Sequence, residues 1–144
     1  MKKIQKRYKK LILDFDGVIV DSNKFKENSI REAALIYKDP METNKFCKYF
    51  TDNNGLSRKE KIFNFFGNNE ISKKILEEYN DLILKRYNEC NPTKKAKEFL
   101  ININNNGYYP YILSGGDKNE ISSFINTKLS DFKFEKIHDQ SNNK

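Results

Sequence analysis

The sequence predicts an α/β fold: a parallel sheet with a block of helices inserted after its first strand. Three observations predict it. A continuous apolar run, Leu11, Ile12 and Leu13, ends in an acidic turn containing Gly17. Nothing between residues 23 and 90 reads as a strand, while apolar residues recur there at helical spacing. From Asn91 the pattern becomes helix, strand, helix, strand, the order in which crossover helices cover a parallel sheet. The expected organisation is one core assembled from residues 1–22 and 91–144, with a helical insertion at 23–90.

Taken in order, the run Leu11–Leu13 has no alternation, which suggests a strand buried on both faces. From Asn23 to Tyr37, residues Phe25, Ile30, Ala33, Ala34 and Tyr37 share one helical face, and Pro40 closes the segment. Further helices are expected at 44–50, 58–66 and 71–87, separated by the Asn and Gly clusters at 53–55 and 67–69. A helix at 94–103 stops at Asn104, Asn105, Asn106 and Gly107. Tyr109–Leu113 reads as the second strand, and Ser114, Gly115 and Gly116 as a tight turn. Asp117 and Glu120 have the spacing of a capping box opening the next helix, and Phe132–Ile137 is expected to be a third strand.

Bulk composition narrows the function classes. A chain of 144 residues is one domain, or one core with a small insertion, and 37% hydrophobic residues suffice for a core. The net charge of +7 raises nucleic-acid binding. The cations are scattered, however, and only Lys2, Lys3, Lys6, Arg7, Lys9 and Lys10 form a dense run, so a solvated basic surface is expected and no nucleic acid partner. Cys47 and Cys90 are too few for a disulfide framework or a zinc site. Asp14 and Asp16 interrupt the one stretch resembling a leader, and no apolar run is long enough to cross a membrane. The expected location is the cytoplasm.

The residues that carry chemistry are Asp14 and Asp16, leaving the carboxyl end of a strand, where open α/β sheets place their ligand crevices. Gly17 ends the strict alternation of side chains, so both carboxylates can be directed at one site. One can attack phosphorus while the other donates and recovers a proton. Phosphate-monoester hydrolysis needs accelerations approaching about 10²¹, and a covalent aspartyl-phosphate divides that task into two displacements. A magnesium ion would neutralise charge on carboxylate and phosphate.

The segment Leu-Asp-Phe-Asp-Gly-Val-Ile-Val-Asp-Ser, residues 13–22, resembles the first motif of the haloacid dehalogenase superfamily, DxDG after a hydrophobic strand. The resemblance implies a Rossmann-like core and gives Asp14 the roles of nucleophile and magnesium ligand. Asp16 would be the general acid and base and would offer its backbone carbonyl to the metal. Because the dehalogenase and phosphonatase branches lack the second aspartate, Asp16 favours a phosphoric monoester hydrolase acting on a small phosphorylated metabolite. Tyr-Ile-Leu-Ser-Gly-Gly, residues 111–116, is similar to the second motif, with Ser114 bonded to the transferring phosphate. Gly115 would permit close approach, and the following helix would point free N–H groups at the anion.

The block 23–90 resembles the small cap of the phosphoglycolate phosphatase and β-phosphoglucomutase branch, which closes over the core. Within it Gly55-Leu56-Ser57-Arg58 is similar to a substrate-contacting loop. Ser57 and Glu60 are also explained as a capping box, but a cation at Arg58 in a first helical turn is favourable only beside an anion. Lys26 stands where mutase-like relatives carry His, which speaks against a phosphomutase. His138 is expected to be a loop or edge residue. Lys144 lies where the family's third-motif lysine is expected, and the fourth motif, an acidic pair after a further strand, is not in the sequence.

In the family order the first strand lies beside a fourth that this sequence does not contain. The first strand's free edge could therefore serve self-association or a partner chain. The chain is expected to be a truncation, an incomplete product or half of a two-chain assembly. The alternative to an enzyme is a non-catalytic phosphate-binding or assembly protein on the same fold.

Overall fold

A computed structural model describes residues 10–138. The chain forms two compact units: residues up to Ser22 together with those from Tyr87 on, and Asn23–Arg86.

The first unit holds a three-stranded parallel sheet, β1 (Ile12–Asp14), β2 (Tyr111–Leu113) and β3 (Ile137–His138), in that order. The register pairs Asp14 with Leu113 and Leu113 with His138, so the carboxyl ends of all three strands lie together. Helices α5 (Lys94–Asn105) and α6 (Lys118–Lys128) connect the strands. Their apolar sides and the β1 turn build the core, with Phe15, Ile19, Leu100, Ile112, Ile121 and Phe124 fully buried. Phe15 meets Phe124 edge-on at 5.3 Å between ring centroids, geometry that favours an aromatic pair.

Two strand expectations need correction. β1 is not buried on both faces: Ile12 is 60% exposed and Leu13 half-buried. The reason is its position at the sheet edge, where among the described residues it pairs with β2 alone. The third strand is also shorter and later than Phe132–Ile137. Lys133 is held instead by the end of α5: the Asn104 amide donates to the Lys133 carbonyl at 3.2 Å and accepts from its N–H at 2.8 Å, while Glu135 N–H bonds the Pro110 carbonyl just before β2. Pairing with β2 begins only at Lys136, whose carbonyl accepts from Ile112 N–H.

The helical unit contains α1 (Asn23–Leu35), α2 (Pro40–Asp52), α3 (Arg58–Phe66) and most of α4 (Glu70–Glu89). Pro40 does not merely close the first segment; it opens α2, four residues before the expected start. Its missing N–H costs nothing in the first turn, where Asp39 caps Glu42 N–H at 2.9 Å. α3 begins with the predicted capping box: Ser57 Oγ accepts from Glu60 N–H, and Glu60 Oε2 from Ser57 N–H. Phe46, Ile62, Ile75 and Ile83 are fully buried in this unit. Arg86 Nη2 donates to both Glu32 carboxylate oxygens at 2.7 Å, and its Nη1 to Ser29 Oγ.

Candidate active site

The site starts with the backbone of the β1 turn. Phe15 N–H continues the ladder to the Leu113 carbonyl, after which the Phe15 carbonyl accepts from Val18, Ile19 and Val20 N–H groups. Gly17 adopts φ 79, a conformation that residues with a Cβ rarely take. Its N–H bonds the Val20 carbonyl at 2.7 Å. The buried Phe15 ring and the Gly17 turn thus fix the positions of the acids on either side of Phe15. Thr93, the N-cap of α5, clamps the same loop through its N–H to the Ile19 carbonyl and its hydroxyl to the Val18 carbonyl.

The two acids have different surroundings. Asp14 is exposed at the end of β1, and among the described residues its carboxylate makes no hydrogen bond or ion pair. Asp16 is held by three hydroxyls. Ser22 Oγ and Tyr87 Oη both donate to its Oδ1 at 2.5 Å, and Ser114 Oγ donates to its Oδ2 at 3.3 Å. Burial first, and then the charge of Asp16, hold the Tyr87 phenol far above its usual range, so it remains a donor. Its ring lies 5.6 Å from Phe15 and 6.1 Å from Phe124.

Ser114 follows directly on the Asp14–Leu113 register pair and is buried, and its Oγ also accepts from Gly116 N–H at 3.0 Å. Gly115 is exposed. The core unit therefore gathers Asp14, Asp16, Ser114 and Gly115 at the carboxyl ends of β1 and β2. At the start of α6, Asp117 Oδ1 accepts from Asn119 and Glu120 N–H. Arg58 belongs to the helical unit, where its guanidinium donates to Asn80 Oδ1 at 2.8 Å and lies 5.1 Å over the Tyr79 ring. Lys144 lies outside the described residues. His138 ends β3, stacked on Tyr111.

Two contributors went unassigned in the sequence reading, Ser22 and Tyr87. They are the residues at which the chain leaves and re-enters the core unit. A signal for Tyr87 existed: with Ile75, Tyr79 and Ile83 it continues a buried i, i+4 row, and a buried phenol needs an acceptor. Among the described residues no group of three or more His, Cys, Asp or Glu side chains could hold a metal. No helix among them is long and apolar enough to cross a membrane.

A parallel α/β core with a DxDG turn at the end of its first strand defines a class of hydrolases, and the family comparison agrees. The profile of haloacid dehalogenase-like hydrolases matches residues 11–143, and the chain belongs to that family. Its fold is similar to that of a candidate haloacid dehalogenase-like hydrolase from Bacteroides fragilis, with a TM-score of 0.68 at 16% identity over 94% of this chain and 64% of that one. A candidate hydrolase of the family from Bacillus subtilis, bound to magnesium, gives 0.67 at 17% identity over 95% and 67%. A candidate phosphoglycolate phosphatase from Lactobacillus plantarum gives 0.63 at 13% identity over 92% and 61%. The chain thus spans about two thirds of the length of these proteins. No curated protein matches its sequence.

Proposed function

We propose that the chain carries the catalytic core of a magnesium-dependent phosphatase that hydrolyses a small phosphorylated metabolite through an aspartyl-phosphate on Asp14. The observation that carries this reading is the contrast between the acids: Asp14 is exposed and, among the described residues, unbonded, while Asp16 is held two residues away by Ser22, Tyr87 and Ser114. An unpartnered carboxylate is available as a nucleophile; an anchored one is positioned to move a proton.

In the first step an Asp14 oxygen bonds to phosphorus, the ester P–O bond breaks, and Asp16, entering the step protonated, gives its proton to the departing oxygen. In the second step water attacks phosphorus, Asp16 takes the proton, and the bond to Asp14 breaks. Ser114 Oγ would turn from Asp16 to donate to the phosphate, and exposed Gly115 leaves the backbone open to it. The donor set fits magnesium, which commonly takes one or two protein carboxylates and completes its shell with water and phosphate oxygens. Asp14 and the Asp16 carbonyl would hold it, and it would offset negative charge between carboxylate and phosphate. The helical unit acts in this reading as the cap that chooses the substrate, with Arg58 as a contact.

The test is phosphate release from an aryl phosphate with magnesium, by the native chain and by Asp14→Asn at matched circular dichroism. The native chain should turn over, and the variant should be slower by about 10⁴-fold or more. Equal rates would sink the proposal, and no turnover by either would favour a non-catalytic phosphate-binding protein.

A further inference from the structure

A carboxyl group that moves a proton must present one chosen oxygen, and the last torsion of an aspartate is broad and two-fold, so nothing within Asp16 selects it. Its neighbours do. Ser22 Oγ and Tyr87 Oη both donate to Oδ1 at 2.5 Å, whereas Ser114 Oγ reaches Oδ2 at the longer distance of 3.3 Å. A carboxylate oxygen has two lone pairs, and two donors engage both of those on Oδ1. Oδ2 is the oxygen turned toward Ser114, at the carboxyl end of β2.

The two donors on Oδ1 differ in stiffness. A serine hydroxyl turns among three staggered wells about a single side-chain torsion. The Tyr87 hydroxyl ends a ring that is 1% exposed and lies 5.6 Å from Phe15 and 6.1 Å from Phe124, two rings that also meet each other at 5.3 Å. Three rings in mutual contact hold one another, so Oη cannot swing away from Asp16. Phenylalanine would pack as well in this trio; the hydroxyl is where tyrosine differs, and its bond ends on Asp16. Tyr87 belongs to the same compact unit as Asp16, and its burial keeps it from reaching a substrate. Any part it takes in chemistry passes through Asp16.

We propose that Tyr87 is the positioning residue for proton transfer: its hydroxyl pins Asp16 Oδ1, so that Oδ2 gives and takes the proton. The inference rests on the phosphatase reading. In the first step Asp14 bonds to phosphorus, the ester P–O bond breaks with its electron pair going to the departing oxygen, and that oxygen takes the proton from Oδ2. The charge left on Asp16 is stabilised at Oδ1 by Tyr87 and Ser22. In the second step a proton of the attacking water returns to Oδ2 as the bond to Asp14 breaks. Misplacing a reacting group by an ångström can cost about 10²-fold in rate, which is the scale on which a rigid anchor matters.

The experiment compares the full native chain with Tyr87→Phe, at matched circular dichroism and with magnesium, on glycerol 3-phosphate and on nitrophenyl phosphate. Tyr87→Phe should lower kcat on glycerol 3-phosphate by about tenfold or more with KM unchanged. The loss on nitrophenyl phosphate should be several-fold smaller, because its leaving oxygen needs the proton less. In a chain that already carries Asp16→Asn, adding Tyr87→Phe should change the remaining glycerol 3-phosphate rate by less than about twofold, since a residue acting through Asp16 has nothing left to position. Equal losses on the two substrates, a loss seen in KM alone, or an undiminished loss in the Asp16→Asn chain overturns the proposal. If Tyr87→Phe does not fold, 3-fluorotyrosine at position 87 takes its place: it keeps ring and hydroxyl, alters the donor, and should change the ratio of the two substrates' rates, whereas an unchanged ratio overturns the proposal. A native chain that releases no phosphate from either substrate removes the phosphatase reading and this inference with it. Turnover that Asp14→Asn abolishes and Tyr87→Phe leaves intact removes this inference alone.

Discussion

Asp16 in the core unit and Lys61 in the helical unit both place a charge among buried side chains, and they meet the cost in opposite ways. Asp16 is surrounded by donors: three hydroxyls reach its two oxygens, two of them from the residues where the chain leaves and re-enters the unit. Lys61 is 6% exposed, with the Phe50 ring centroid 4.1 Å from its Nζ. The comparison teaches that the carboxylate is fixed by hydroxyl donors and the ammonium by an aromatic face. Asp14 resembles neither, being exposed and, among the described residues, unbonded, which suits a group that must form and break a bond.

The largest effect should come from Asp14→Asn, with loss of phosphate release by about 10⁴-fold or more at unchanged fold. Asp16→Asn should cost about 10²–10⁴-fold, the range of a general acid and base, and the comparison of substrates sharpens the assignment. If Asp16 protonates the leaving group, the loss should be smaller for an aryl phosphate than for an alkyl phosphate, whose leaving oxygen needs the proton more. Equal losses for both substrates would remove that role.

Tyr87→Phe isolates the hydroxyl while keeping the ring between Phe15 and Phe124. Loss of a hydrogen bond to a charged group should cost about 1.5–3 kcal/mol in chemical denaturation. The sign of its pH dependence is fixed by the raised pKa. The unfolded phenol ionises around 10.0 and the folded one does not, so the stability it contributes is complete below pH 10 and falls as pH rises above it. Tyr87→Phe should lack that alkaline decline, and an unchanged decline would place its cause elsewhere.

Lys61 should behave in the opposite sense. Its pKa is lowered below 10.5 by burial and by two cations, so the unfolded state holds the proton more tightly. Native stability should therefore rise relative to Lys61→Met as pH increases through the window between the lowered value and 10.5, and denaturant midpoints of the two proteins across that window measure it. The smallest effect belongs to Ile12→Lys at the β1 edge: with Ile12 60% exposed, its unfolding free energy should change by no more than about 0.5 kcal/mol.

Much of this was legible in the sequence because local rules and burial agree. The Ser57–Glu60 capping box, the α5 stop at the Asn-Gly cluster and the strand-to-turn passage at Asp14 need only neighbours in sequence, and the structure contains each. The exposure of Ile12 was not legible, since an apolar run does not say whether its strand has one neighbour or two. Nor was the short β3, whose preceding residues were captured by Asn104, 29 positions earlier. At the site, the acids and Ser114 announced themselves by motif. The donors on Asp16 did not, because Tyr87 is 71 residues away in sequence and looks like one more apolar position on α4. Lys61 was hidden for the same reason: nothing local distinguishes a buried lysine from a solvated one.

The central claim is the covalent role of Asp14, and the most direct measurement is to look for the phosphate on it. The native chain, incubated with magnesium and an aryl phosphate, quenched in acid and digested, should yield a phosphorylated peptide containing residues 11–17, with the label on Asp14. Asp14→Asn should yield none. Turnover by the native chain with the phosphate found on another residue, or with none trapped under rapid quenching, would contradict the account.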